Sequence, residues 1–96
     1  HLSVSGCHVF NVNWLIDPPS ATLEAACRIR YRHQEVPSRL TILDDGNVQV
    51  AFDQPQYGVT PGQAAVFYDD DRVLGGGWIS NTGTRDEERG TRKSDA

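Results

Sequence analysis

Turn-forming residues divide this chain into short segments, none of which shows the apolar period of an α-helix. Asp44-Asp45-Gly46-Asn47 stands between two alternating apolar segments and predicts a β-hairpin, because Asp and Gly tolerate positive φ. Pro61-Gly62 predicts the centre of a type II turn. Asp69-Asp70-Asp71 predicts a further turn. Short strands joined in this way predict an all-β fold, a small closed antiparallel β-barrel of about six to seven strands.

The predicted strands are the β-branched and aromatic segments between these turns. They cover residues 7–15, 23–32, 38–43, 48–52, 63–68 and 73–79, with a short extended piece at 57–59. Segment 63–68 is apolar at nearly every position, which predicts a strand buried on both faces.

The length of 96 residues fits one small domain, and the absence of Met favours a fragment of a longer protein. We interpret residues 1–6 as a linker from a missing upstream domain, 7–80 as the barrel and 81–96 as a disordered charged tail. No apolar run approaches the roughly 20 residues that cross a bilayer, and no signal peptide is visible. These features predict a cytoplasmic protein without a membrane partner.

A local group of arginines stands out in a chain whose formal net charge is -4. Strand alternation places Arg28, Arg30 and Arg32 on one face and turns Tyr31 to the other. The arginine row is either a solvated outer face with acidic neighbours or a stripe that follows phosphates, since guanidinium binds phosphate bidentately. Tyr31 is either a core residue or, at a strand end or bulge, an outward stacking surface.

No catalytic or metal-binding pattern is visible. The run 75–77 is all glycine, but neither lysine nor a helix follows it, so we interpret it as a close approach between strands. The two cysteines, Cys7 and Cys27, form no CxxC motif and have no histidine at ligand spacing. They could form one disulfide, but a reduced pair is the interpretation that fits a chain without secretion signals. We therefore predict neither catalytic residues nor a metal in this chain.

Several of these segments together resemble the C-terminal domain of tRNA-specific 2-thiouridylases. The resemblance covers roughly residues 7–80 and is strongest at 28–34, 36–37, 59–68 and 73–77. It implies a small β-barrel similar to those of translation factors. It also implies a parent enzyme, a sulfurtransferase, that uses ATP to activate the wobble uridine of certain tRNAs and then makes 2-thiouridine.

The resemblance places the adenylation loop and the catalytic cysteines in an upstream domain, so that no cofactor belongs to this fragment. The implied partners are tRNA, the upstream catalytic and central domains, and a sulfur-carrier protein. The family's tRNA contacts fall on Arg30, Tyr31 and Gln63. The arginine row itself, without the resemblance, adds Arg28 and Arg32 as candidate phosphate contacts. The alternative is a purely structural barrel that braces neighbouring domains without touching RNA.

Two departures from the family pattern are visible. Ser38 stands where many members carry a non-catalytic cysteine, and the charged residues from Asn81 onward have no counterpart. An older name for the family describes a tRNA methyltransferase, but nothing in this chain resembles a methyl-donor site.

Overall fold

The computed structural model describes residues 3–29 and 34–82. Six antiparallel strands close into a barrel in the order β1-β4-β3-β2-β5-β6. The strands are β1 Val4–Trp14, β2 Thr22–Arg28, β3 Val36–Ile42, β4 Val48–Gln56, β5 Ala64–Asp69 and β6 Arg72–Thr82. This architecture confirms the predicted all-β closed barrel and gives the lower of the two strand numbers. No helix with the length and apolar character needed to cross a membrane occurs in the described part of the chain.

The barrel interior is filled by alternate residues of the strands, as the period of two requires. Its largest fully buried side chains are Phe67, Leu40, Ile79, Val9, Val48 and Val50. Trp14 packs against Phe67 with ring centroids 5.7 Å apart. Ser38, the buried polar residue among them, donates its hydroxyl to the carbonyl of Val36 at 2.8 Å, so its burial leaves no donor unpaired.

The turns form where their residue chemistry predicts them. Gly46 has φ +88 and its N–H donates to the Leu43 carbonyl at 2.9 Å, which closes the β3–β4 hairpin. Gly62 has φ +94 and follows Pro61, which matches the predicted type II turn. Asp70, with φ 54, joins β5 to β6.

Several strand boundaries differ from the prediction. β1 begins at Val4, because Val4 pairs with Gln56 of β4. β6 continues to Thr82, because Thr82 and Asn81 pair with Cys7 and His8. β4 continues through Pro55 to Gln56, so residues 57–59 form no separate strand. Residues 83–96, assigned above to a charged tail, lie outside the described residues.

The prediction for the fifth strand was wrong in one respect. Ala65 and Phe67 are buried, but Ala64 is exposed and Val66 and Tyr68 are half-buried. A strand in a small closed barrel has one face toward the interior and one toward the outside, so an apolar composition does not require burial on both faces.

Candidate nucleic-acid interface

Arg28 ends β2 and points away from the barrel interior, between two buried neighbours, Cys27 and Ile29. The predicted alternation is therefore confirmed for this part of the strand. Arg28 is paired in register with Val66 of β5. Its side chain is 36% exposed, which leaves part of the guanidinium accessible to solvent.

Two neighbours hold the Arg28 guanidinium in place. Its carbon lies 5.5 Å from the centroid of the Tyr68 ring, within the range of a cation–π contact. Nη2 lies 3.6 Å from Oε2 of Glu35, an ion pair too long for a direct hydrogen bond. Nε is buried and has no hydrogen-bond acceptor among the described residues. The group is thus oriented by an aromatic ring, while its hydrogen-bonding capacity is not used up.

Arg39 is a contrasting arginine on the neighbouring strand. It lies opposite Glu24 in the β2–β3 register and donates from both Nε and Nη2 to the Glu24 carboxylate, at 3.0 and 2.9 Å. Both side chains are more than half exposed, so the pair adds little stability. The Nε and Nη2 groups of Arg39 therefore both donate hydrogen bonds to a carboxylate, whereas Nε of Arg28 has no acceptor among the described residues.

Gln63 forms hydrogen bonds that stabilise the turn before β5. Its side-chain Oε1 accepts the Thr60 N–H at 2.9 Å, and its carbonyl accepts the Ile79 N–H at 2.8 Å. The first of these bonds holds the half-buried side chain over the Pro61-Gly62 turn, and the second joins the backbone to β6. The side-chain amide NH₂ remains the group that could donate to a ligand.

The other three candidate RNA contacts, Arg30, Tyr31 and Arg32, lie outside the described residues. The structure describes the chain on either side of them, up to Ile29 and again from Gln34. A groove of about 690 Å³ begins at this second point and is lined by Gln34, Glu35, Val36, Pro37, Asp53, Gln54, Gln56 and Tyr57. Glu35 and Asp53 make this groove unfavourable for phosphates.

Comparison with known proteins identifies the barrel. The family described as the aminomethyltransferase beta-barrel domain matches residues 4–79. This chain belongs to that family. It is also 58% identical over 80 residues to the tRNA-specific 2-thiouridylase MnmA of Syntrophotalea carbinolica, covering 83% of this chain and 23% of the relative.

Two further relatives agree. The MnmA protein of Trichlorobacter lovleyi is 46% identical to this chain, over 91% of this chain and 25% of the relative. The MnmA protein of Geobacter metallireducens is 53% identical, over 81% of this chain and 21% of the relative. These matches confirm the resemblance to the C-terminal domain of the tRNA-specific 2-thiouridylases. The chain spans about a quarter of the length of these curated relatives.

The two cysteines of this barrel are poorly suited to sulfur chemistry. Both are free and fully buried. Burial raises the pKa of the Cys7 thiol to about 12. The pKa of the Cys27 thiol is raised as well, mainly by burial and to a smaller extent by the charge that Cys7 carries when it ionises. A thiol must ionise to act as a nucleophile, so both remain inert thiols near neutral pH.

The structure reveals one contact that the sequence did not predict, between His8 Nδ1 and Ser80 Oγ at 2.5 Å. The two residues meet because β1 and β6 are neighbours in the barrel. No carboxylate in the described part of the chain orients the imidazole, and the Ser80 hydroxyl also lies 3.3 Å from the His8 carbonyl oxygen. We interpret the contact as a bond that joins the two strands and not as a catalytic dyad.

A metal site would need a group of three or more His, Cys, Asp or Glu side chains. The described residues contain no such group.

Proposed function

We propose that this chain is the tRNA-contacting barrel of a cytoplasmic, ATP-dependent tRNA 2-thiouridylase that makes 2-thiouridine at the wobble position. The observation that carries the proposal is the Arg28 guanidinium, oriented by Tyr68 and partly exposed at the start of the segment to which the resemblance assigns tRNA contacts. Arginine in this setting contacts phosphates and so positions RNA without reading its sequence.

The adenylation and sulfur-transfer steps belong, in this proposal, to the remainder of the parent protein, together with its sulfur-carrier partner. The described residues do not fit an ATP site. Gly75–Gly77 lie within β6, where a Cβ on Gly75 would lie 2.5 Å from the Asn13 carbonyl oxygen and one on Gly76 2.6 Å from that of Ala65. The glycine run is therefore packed between strands and forms no phosphate-binding loop.

The alternative, a structural brace that leaves RNA to other domains, also has an observation in its favour. Arg39 is paired with Glu24, and the Gln63 side chain already caps a turn. Both side chains therefore already have hydrogen-bond partners within the domain that require no RNA.

Loss of an arginine contact should weaken tRNA binding by the complete parent protein. Arg28→Gln and Arg30→Ala should each cost roughly 1–3 kcal/mol, the scale of a hydrogen bond to a charged group. Each should also reduce the slope of log affinity against log salt by about one unit, because one phosphate fewer is neutralised. Filter binding at several salt concentrations measures both effects.

Arg39→Gln is the matched control, since it removes the same charge from a residue whose Nε and Nη2 both donate hydrogen bonds to Glu24. Gln63→Glu keeps an oxygen to accept the Thr60 N–H, removes the amide donor and adds a negative charge, so that two effects oppose a contact with RNA. It should therefore weaken tRNA binding while the melting temperature stays at the parent value. Wild-type tRNA affinity for the Arg28, Arg30 and Gln63 variants would favour the structural brace instead.

The buried cysteines should be dispensable for thiolation by the parent protein. Cys7→Ala and Cys27→Ala should retain the wild-type rate of 2-thiouridine formation, because the thiols they remove are protonated and enclosed. The rate is measured per folded enzyme, which separates a loss of stability from a loss of chemistry. A persulfide mapped to either sulfur would contradict the prediction.

A further inference from the structure

One half of the barrel carries no formal charge along most of its length. Residues 3–16, 63–68 and 73–82 include β1 and nearly all of β5 and β6, and they contain no Asp, Glu, Lys or Arg. The whole chain has 13 acidic residues and 9 Lys or Arg residues. The other half has charged residues in each strand, namely Glu24 and Arg28 in β2, Arg39 in β3 and Asp53 in β4.

Large apolar side chains are exposed on the outside of the uncharged half. Trp78 is 49% exposed and is paired in register with Phe10, which is 37% exposed. On its other side Trp78 is paired with Ala64, also exposed. The next row joins Val66, Gly76 and Asn13.

Two further exposed residues, Leu15 and Val73, extend this surface beyond the second row. Together with Asn13, Val66, Gly75 and Gly76 they line a shallow groove of about 250 Å³. We call the outer surface formed by Phe10, Ala64, Trp78, Val66, Gly76 and Leu15 the apolar face.

The composition of the apolar face matches the core of a protein interface. Such cores are depleted in charged residues and enriched in aromatic ones. Contiguous apolar surface in a soluble domain commonly marks a contact with another protein surface. A nucleic-acid surface would need positive charge to neutralise phosphates, and the rows of Trp78 and Val66 on these three strands provide none.

We propose that the apolar face docks against the remainder of the parent polypeptide. This inference rests on the proposed function, in which the chain is one domain of a 2-thiouridylase. The curated relatives are about three and a half times as long as this chain, so in each of them the barrel belongs to a polypeptide with a much larger remainder. Docking there would cover Trp78 and Phe10.

The apolar face also borders the candidate RNA contact, because Val66 is paired in register with Arg28. Docking would therefore bring Arg28 to the margin of the interface while its guanidinium stays accessible. The charged half of the barrel would face RNA or solvent, and the apolar face would face protein.

Photo-crosslinking in the complete parent protein, without tRNA, tests this inference. Trp78→p-benzoylphenylalanine should give crosslinks to residues of the same polypeptide outside the barrel, identified by mass spectrometry. Phe10→p-benzoylphenylalanine provides a second probe on the same face. Tyr57→p-benzoylphenylalanine is the matched control, because Tyr57 is 63% exposed but lies in the groove with Glu35 and Asp53. Its intramolecular crosslink yield should be several-fold lower.

Three outcomes would overturn the docking proposal. They are an equal yield at Tyr57, crosslinks only between two copies of the protein, and no crosslink from either Trp78 or Phe10 in a folded, tRNA-binding sample. Crosslinks that appear only when tRNA is added would assign the face to RNA instead and would also overturn it. The tRNA affinities of the Arg28 and Arg30 variants decide the proposed function separately.

Discussion

Replacing Gly77 with alanine is expected to destabilise the barrel by about 3 kcal/mol, the upper end of the usual cost of overpacking. A Cβ at this position would lie 2.5 Å from the Phe10 carbonyl oxygen and 2.8 Å from Cγ1 of Val9. Val9 is fully buried, and the carbonyl belongs to the neighbouring strand β1. Neither can move away without disturbing the β1–β6 contact, so the strands must separate.

Gly46→Ala is the matched control for this substitution. Gly46 has φ +88, but no atom lies within 4 Å of the position that an alanine methyl group would occupy. Alanine there meets backbone strain without a steric clash, and that strain costs about 1 kcal/mol. Urea denaturation of both variants, followed by circular dichroism, should give a clearly lower midpoint for Gly77→Ala. Equal midpoints would show that β1 and β6 are not as closely packed as the glycine run implies.

The turns were predictable because their determinants are local. Gly46 and Gly62 adopt positive φ where Asp-Gly and Pro-Gly steps place them, and no distant residue is needed to explain either turn. The alternation around Cys27 and Ile29 is likewise local, since the period of two sorts their side chains inward.

The strand ends were not predictable because they depend on pairing partners far away in the chain. Val4 belongs to β1 through its pairing with Gln56, and Thr82 belongs to β6 through its pairing with Cys7. Pro55 lies within β4 although proline usually interrupts a strand. The pairing of β4 with β3 ends at Phe52, before Pro55 is reached. The missing N–H of Pro55 therefore removes no hydrogen bond to β3.

In the candidate site, too, some features follow from neighbouring residues in the sequence and others depend on strands that are far apart in the chain. Arg28 was a candidate from its sequence neighbours alone, and its outward direction follows from alternation. Its contact with Tyr68 arises because β2 and β5 are neighbours in the closed barrel, with Ala26 opposite Tyr68. The turn-capping bond of Gln63 also required the three-dimensional geometry, because several side-chain directions are compatible with a Pro-Gly-Gln sequence.

The free energy of unfolding is expected to fall steeply as the pH rises above about 9, because of the two buried thiols. An unfolded cysteine ionises near its ordinary pKa of 9.0, whereas burial raises the pKa of Cys7 to about 12 and raises that of Cys27 too. Between these values the unfolded chain has lost protons that the folded barrel still holds. Stability is therefore complete below pH 9 and is lost as the pH rises toward the folded pKa. The loss is roughly 1 kcal/mol per pH unit for each thiol, and between about 2 and 3 kcal/mol per unit for both.

Urea denaturation of the chain at a series of pH values above and below 9, with a reductant present, measures this dependence. The Cys7→Ala/Cys27→Ala double variant is the control, since it retains every tyrosine, lysine and arginine that also ionises in alkali. Its stability should fall less steeply with pH, and each single variant should lie between it and the wild type. The difference between the wild-type and double-variant curves isolates the thiols, because all other groups are common to both. Parallel curves would mean that water reaches Cys7 and Cys27 and lets them ionise inside the folded barrel.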